Sequence, residues 1–338
     1  MLGADPVSWA RMRAPSPLLT PDTARSLSLV RTLGEPARSP HALRQVLGWD
    51  ASSRYLLSVR NRGEDQLRWW DLEADGNTPL FTRPLAGGVA AWFLPDSQTL
   101  LSVTVRGALQ TWSVTDGALL STVKTGMSVS GASLSLDATR LLLTASGGRI
   151  LLWDLRKSWL SWRRDEQALF YGCALSADGV FAAAGAAEER EGAVTLASVR
   201  LWDAKTGKPL GSRSFESARI WTVAFTPPGD QLIAANSAGA LLFLALPSLE
   251  LVRTVEGPGS GTLQMEFNPE GSLLAASPDT SAFVVLDAHD GQKLFDYSDL
   301  DDMEGSSVAF SPDGRFVSWG MDDGKVGIWG AGAAPRKG

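Results

Sequence analysis

Along almost the whole chain, short runs that alternate apolar and polar residues are separated by clusters of Gly, Pro, Asp and Ser. Alternation with period two puts every second side chain on one face, the signature of half-buried strands, and the clusters supply the turns between them. The stretch from Ser307 to Trp329, S-V-A-F-S-P-D-G-R-F-V-S-W-G-M-D-D-G-K-V-G-I-W, shows the unit most plainly. One strand ends at Phe310. The turn Ser311-Pro312-Asp313-Gly314 leads into a second strand from Arg315 to Gly320, and the Asp323-Gly324 turn leads into a third that ends at Trp329. Glycine late in each turn accepts the positive φ that tight reversals impose.

The unit recurs down the chain. The apolar residue before each first turn falls at Trp49, Phe93, Leu134, Leu175, Phe225, Phe267 and Phe310, at steps of 44, 41, 41, 50, 42 and 43 residues. The large residue closing each third strand falls at Trp70, Trp112, Trp153, Trp202, Leu244, Leu286 and Trp329. In five units it lies 19 residues after the first landmark, against 21 in unit one and 27 in unit four. The surplus therefore sits between second and third strands. In unit four it centres on residues 186–193, where Glu188, Glu189, Arg190 and Glu191 occur, and a longer loop is the expectation there.

On these residues the chain resembles the WD40 repeat family over about residues 27–330. The resemblance is carried by Trp70-Asp71, Trp153-Asp154, Trp202-Asp203 and Trp329, by F-S-P-D-G at 310–314, and by D-x-x-x-G at Asp203 to Gly207 and Asp287 to Gly291. The period of about 42 fits that family. The chain departs from its pattern in two ways. The family's Gly-His pair is absent, since His41 and His289 do not follow a glycine, and Trp112-Ser113, Leu244-Ala245 and Leu286-Asp287 replace Trp-Asp. Cohesion between blades is therefore expected to rest on apolar packing more than on a buried polar network.

The resemblance implies an all-β fold, a seven-bladed β-propeller of four-stranded antiparallel blades. Units one to six each have a candidate fourth strand, whereas unit seven stops at Gly330. Near the other end, Ser28-Leu29-Val30-Arg31-Thr32-Leu33 is similar to the outer strand of unit five, where L-V-R-T recurs from Leu251 to Thr254. An N-terminal strand is thus expected to complete the last blade and close the ring, leaving no long unpaired edge. Residues 1–25 read as an N-terminal tail or arm, 26–330 as the propeller and 331–338 as a C-terminal tail.

Charge and composition narrow the function. With 31 Lys and Arg against 37 Asp and Glu, the net charge of −6 argues against a nucleic-acid binder or an anionic-membrane binder. The single cysteine, Cys173, excludes an internal disulfide framework, and no apolar run reaches 18 residues. These features set the expectation of a cytoplasmic protein, and the abundance of Ala, Leu, Arg and Gly suggests a bacterial source.

In a propeller of the resembled type, the loops between second and third strands share one face with the blade-to-blade connections. That placement gathers Asp299, Asp301, Asp302, Met303 and Glu304 with Asp322 and Asp323 into an acidic sector, with Arg60 and Arg62 beside it. Trp221 aligns with Ser306 at the entry to an inner strand, and Arg219 flanks it. An acidic field steers a basic partner, and an aromatic at the rim can anchor one. Trp159 and Trp162, three apart in one strand, should face opposite ways, so at most one is exposed.

No catalytic constellation assembles from two widely separated histidines and a cysteine set between Gly172 and Ala174. The acidic run at 299–305 fails the EF-hand spacing, and Gly87-Gly88 and Gly147-Gly148 lack the rest of a phosphate loop. The expected function is therefore a non-catalytic scaffold or complex subunit, without cofactor or metal, that binds a protein or peptide with a basic patch. Two other readings stand beside it: a propeller hydrolase or lyase with a site in the central channel, and a sensor module of a bacterial multi-protein system.

Overall fold

The computed structural model describes residues 16–37, 44–61, 64–74, 76–145, 147–190, 193–215, 219–257, 261–278, 283–297, 307–321 and 323–332. Within them, 28 strands form seven four-stranded antiparallel sheets, which are the blades of the expected propeller. Six blades use four consecutive strands. The seventh takes Leu27–Leu33 as its outer strand, beside Val326–Ala331, Phe316–Gly320 and the inner strand Val308–Phe310. Leu27 lies opposite Ala331 and Leu33 opposite Val326. The two ends of the chain are thereby joined in one sheet, as the L-V-R-T recurrence implied.

The first turn of each blade is held by one recurring device. The residue after the first landmark turns its side-chain oxygen back to accept the N–H five residues on. Asp50 accepts from Tyr55 (2.6 Å), Ser135 from Arg140 (2.9 Å), Ser176 from Phe181 (2.9 Å), Thr226 from Gln231 (3.1 Å), Asn268 from Leu273 (2.8 Å) and Ser311 from Phe316 (3.0 Å). Blade two has Leu94 at that place, and Asp96 accepts from Thr99 instead (3.0 Å). Short polar side chains that compete for backbone donors favour turns over continued strand. Gly179 and Gly314 meet the positive φ late in these turns, and Ser97 and Ala138 adopt it at the equivalent place.

Each closing residue of a third strand packs against the preceding blade. Trp329 joins Leu273, Phe283 and Val285 of blade six, and Trp70 joins Phe316 and Ile328 of blade seven. Trp202 packs with Ile150 and Leu152 of blade three. The layer between blades five and six has Leu286 in that role. Burial of such large side chains supplies most of the inter-blade cohesion, in line with the loss of the Gly-His pair.

Polar clasps reinforce these layers. Arginines on outer strands donate to the carbonyls of the next blade's third-to-fourth-strand turn: Arg83 to Gly117 (2.7 Å), Arg164 to Gly207 (2.8 Å), Arg213 to Leu249 (3.2 Å) and Arg253 to Ala288 (2.8 Å). Arg31, on the closing strand, donates to Leu72 (2.8 Å) and Gly76 (2.6 Å) of blade one. The two L-V-R-T copies thus place their arginines in one role. Opposite the closing residue, the outer strands of blades two to seven carry a register shift, a bulge that twists the exposed edge away from pairing with another chain.

Blade four corrects one expectation. Its extra residues form no long loop. They lengthen the second and third strands to Phe181–Arg190 and Ala193–Asp203, with Glu188 opposite Leu196 and Arg190 opposite Ala193. Antiparallel pairing continues through the polar residues, with a register shift between Glu188 and Glu189, so the hairpin stands beyond its six-residue neighbours. Before the closing strand, Leu19 is buried, its N–H donating to Gly314 (2.7 Å) and its carbonyl accepting from Asn268 (3.4 Å). One turn of helix, Pro21–Ala24, capped by Thr20, then leads into the ring.

Candidate partner-binding face

Two faces follow from the topology. The loop face carries the second-to-third-strand loops and the blade-to-blade connections, and the turn face carries the first and third turns of every blade. Trp221 lies at the loop-face entry of the inner strand Ile220–Phe225. Ile220 pairs with Asn236 and Thr222 with Ala235, so Trp221 is the extra residue of a bulge and is turned out of the ladder. The adjoining inner strand, Leu169–Leu175, shifts register in the same place, between Phe170 and Cys173, and presents Tyr171. The two rings meet edge to face with centroids 5.0 Å apart. The strands approach so closely here that a Cβ on Gly172 would stand 2.7 Å from the Trp221 carbonyl oxygen.

Arg219 completes this cluster, its guanidinium 5.6 Å from the Trp221 ring centre. Its backbone exchanges hydrogen bonds with Ser237, whose hydroxyl accepts the Arg219 N–H (3.0 Å) and whose own N–H donates to the Arg219 carbonyl (2.8 Å). Trp221 is half-buried, its ring set between Tyr171 and Arg219. Beside it, on blade four, Arg200 pairs with Glu166 and with Glu188 (3.4 Å) and lies over Phe170 (5.9 Å). Tyr171 is the residue that sequence reasoning missed, and its own landmark spacing, four residues before Leu175, matches that of Trp221 before Phe225.

Arg60 lies among the loop-face loops, beside Asp323 and Gly324, but is buried there and not presented to a partner. It belongs to the second strand of blade one, Tyr55–Asn61, where it is 3% exposed and donates to the carbonyls of Glu35 (2.9 Å) and Gly324 and pairs with Glu64 (2.6 Å). The strand runs further than the pattern indicated, because Arg60 pairs with Gln45 on one side and Gln66 on the other. Arg68 lies beside it, donating to Gln45 (3.0 Å), Ser58 (2.9 Å) and Gly324 (3.1 Å) and resting on Trp70 (4.9 Å). Burial, and then the charge of Arg60, pull Arg68 down to about 9. The seam between blades seven and one therefore adds a buried polar knot to the apolar packing between blades.

Asp323 is half-buried and pairs with Lys325 (2.6 Å). Arg62, Asp299, Asp301, Asp302, Met303, Glu304 and Asp322 lie outside the described residues, as do Glu191 and His41. Trp159 is 56% exposed and Trp162 only 8%, with the Trp162 indole donating to the Ala204 carbonyl (3.0 Å), so one of the pair faces outward.

Along the channel wall, Glu266 of the inner strand Thr262–Phe267 accepts the Phe310 N–H of blade seven at 3.0 Å. Burial pushes its carboxyl up to about 7. Burial also pushes the Cys173 thiol up to about 12, away from the thiolate form that reacts. His289 stands on the turn face, away from both. Among the described residues, no group of His, Cys, Asp and Glu side chains is arranged to hold a metal ion, and no helix is long and apolar enough to cross a membrane.

The chain matches no protein-family model. It is 23% identical over 278 residues to telomerase protein component 1 of Mus musculus, covering 81% of this chain and 10% of that protein. It is 25% identical over 131 residues to WD repeat-containing protein SL1-17 of Schistosoma mansoni, covering 39% of this chain and 43% of that one. To the COMPASS component SWD2 of Saccharomyces cerevisiae it is 28% identical over 148 residues, again 39% of this chain and 43% of the relative. The chain thus spans a tenth of the first relative and less than half of the others. All three are eukaryotic proteins, which does not fit the bacterial source suggested by composition.

Proposed function

This chain being a seven-bladed propeller whose relatives are WD-repeat proteins, several of them components of multi-protein complexes, we propose that it is a non-catalytic interaction subunit that seats a protein or peptide on its loop face. The observation that supports this most is the bulge at Trp221. It turns a large aromatic out of the ladder at the mouth of an inner strand, braced by Tyr171 and flanked by Arg219. Aromatic and arginine side chains held rigidly at the centre of a face are the usual anchors of protein interfaces. A ring of seven packed blades also loses little conformational freedom when a partner arrives.

In this proposal the carboxylates of residues 299–304, with Asp322 and Asp323, give the same face its acidic sector and select a partner with a basic patch. Trp221→Ala should then speed dissociation, and reversal of charge at Asp301, Asp302 and Asp322 should slow association and flatten its salt dependence. The test is affinity purification of the tagged protein from its native host, wild type against Trp221→Ala, with quantitative mass spectrometry. Loss of a reproducible protein from the Trp221→Ala eluate, with the melting temperature kept, supports the proposal. Identical eluates at equal stability would place the interface elsewhere.

A further inference from the structure

The turn face has a second feature, independent of the loop-face reading. Where an indole fills most inter-blade layers, the layer between blades five and six has Leu286. At its outer rim a cavity of about 840 Å³ opens between the Thr226 to Asp230 turn of blade five and the Asp287 to Asp290 turn of blade six, with Pro21 at its margin. Half-buried Phe267 and the prolines Pro227 and Pro228 give it apolar walls, while Phe243 lies buried beneath Arg253.

The rim is acidic. Asp230, Asp287 and Asp290 all line the groove, and none of them is in an ion pair among the described residues. Each is tied only to its own turn: Asp230 accepts from the Thr226 hydroxyl (2.9 Å), Asp287 from the His289 N–H (2.8 Å) and Asp290 from the Gln292 N–H (2.8 Å). Arg253 is the one guanidinium among the lining residues, and it is already committed. It lies 3.9 Å from the Phe243 ring centre and donates to the carbonyls of Ala288 and His289. The groove therefore shows, in its own wall, how it holds a guanidinium: over an aromatic ring, with the N–H groups turned to turn carbonyls. Three carboxylates against this one cation leave the rim negative.

We propose that this groove is a docking site for an extended basic segment of a partner protein, one that lays arginine or lysine side chains along the carboxylate rim and an apolar residue against Phe267, Pro227 and Pro228. Lysine and arginine stems cover apolar surface while their charged ends meet the carboxylates, so both parts of the lining are used by one kind of side chain. An acidic or purely apolar segment would leave the rim uncompensated.

The probe is a fluorescein-labelled nonapeptide of alternating arginine and leucine, followed by fluorescence polarisation in 50 mM and 300 mM sodium chloride, conditions chosen so that screening differs by more than twofold in length, roughly 14 Å against 6 Å. The wild-type protein should bind it saturably. The triple variant Asp230→Asn, Asp287→Asn, Asp290→Asn keeps the turn acceptors but removes the charge, and should bind about tenfold more weakly, as expected for three partly exposed ion pairs. A control triple variant elsewhere on the surface, Glu73→Gln, Asp96→Asn, Asp116→Asn, should bind as wild type, as should Trp221→Ala. Equal weakening by the control triple, or equal binding of a peptide with glutamate in place of arginine, would overturn the proposal. So would unchanged binding to the groove triple. Weakening by Trp221→Ala alone would assign the peptide to the loop face and leave the groove without this role.

Discussion

Glu266 offers the sharpest test of the packing between blades. Its carboxyl is enclosed between two inner strands, with one oxygen on the Phe310 N–H at 3.0 Å, and burial raises it from 4.5 to about 7. The folded state therefore holds the proton more tightly than the unfolded chain does. Below pH 4.5 the carboxyl is protonated in both states and costs nothing. As pH rises through 7 the folded protein must carry a buried carboxylate, and that stability is lost. A displacement of this size corresponds to at most about 3 kcal/mol, an upper bound because the residue keeps some surface along the channel, where water screens the charge.

Glu266→Gln keeps the oxygen that Phe310 needs and cannot ionise. Urea unfolding of both proteins at half-unit steps from pH 3.5 to 8.5 should give midpoints that nearly coincide at the acid end, separate between about pH 4.5 and 7 with the variant the more stable, and stay apart by a constant amount above pH 7. Parallel profiles across the range, or a variant that is less stable at pH 8, would refute the reasoning. The same result would show that the carboxyl is a structural liability at neutral pH and contributes nothing to cohesion there.

Two further outcomes follow from the ring. Deleting residues 26–34 removes a paired strand, the buried Leu33 and the Arg31 clasp together, and should lower the melting temperature of the whole protein in a single transition; Leu33→Ala alone should cost roughly 2–5 kcal/mol. A truncated protein that melts at the wild-type temperature would contradict closure by this strand. With its thiol pushed up to about 12, Cys173 should react with iodoacetamide at pH 8 far more slowly than in the urea-unfolded protein, and equal rates would contradict its enclosure.

How much of this was legible beforehand depended on distance along the chain. Turns such as Ser311 to Gly314, and strands of period two, are written in neighbouring residues, so the seven units, the closing strand and the opposite facing of Trp159 and Trp162 could be read directly, though not which of the two is exposed. Arg60 could not. Whether it belongs to a strand or a loop is decided by Gln45 and Gln66 on either side, and its partner Gly324 is 264 residues away. The blade-four hairpin was hidden because Glu188, Glu189 and Arg190 look like a solvated loop until the opposing strand pairs with them. Glu266 is unremarkable in its own strand; its raised value comes from burial in the folded ring, against which the Phe310 N–H of blade seven works. For the candidate site, Trp221 and Arg219 were visible as a pair near a strand entry, whereas their contact with Tyr171 came from a bulge in each of two blades. The arginine clasps left a trace in the repeated L-V-R-T, which the closing-strand comparison used without reading its chemistry.

The claim at the centre of this account is that a partner sits on the loop face around Trp221. Hydrogen–deuterium exchange on the protein, free and in the assembly purified from its native host, tests it most directly. Exchange should slow on assembly at residues 169–172 and 219–222. Unchanged exchange there, with protection confined to other surfaces, would contradict it.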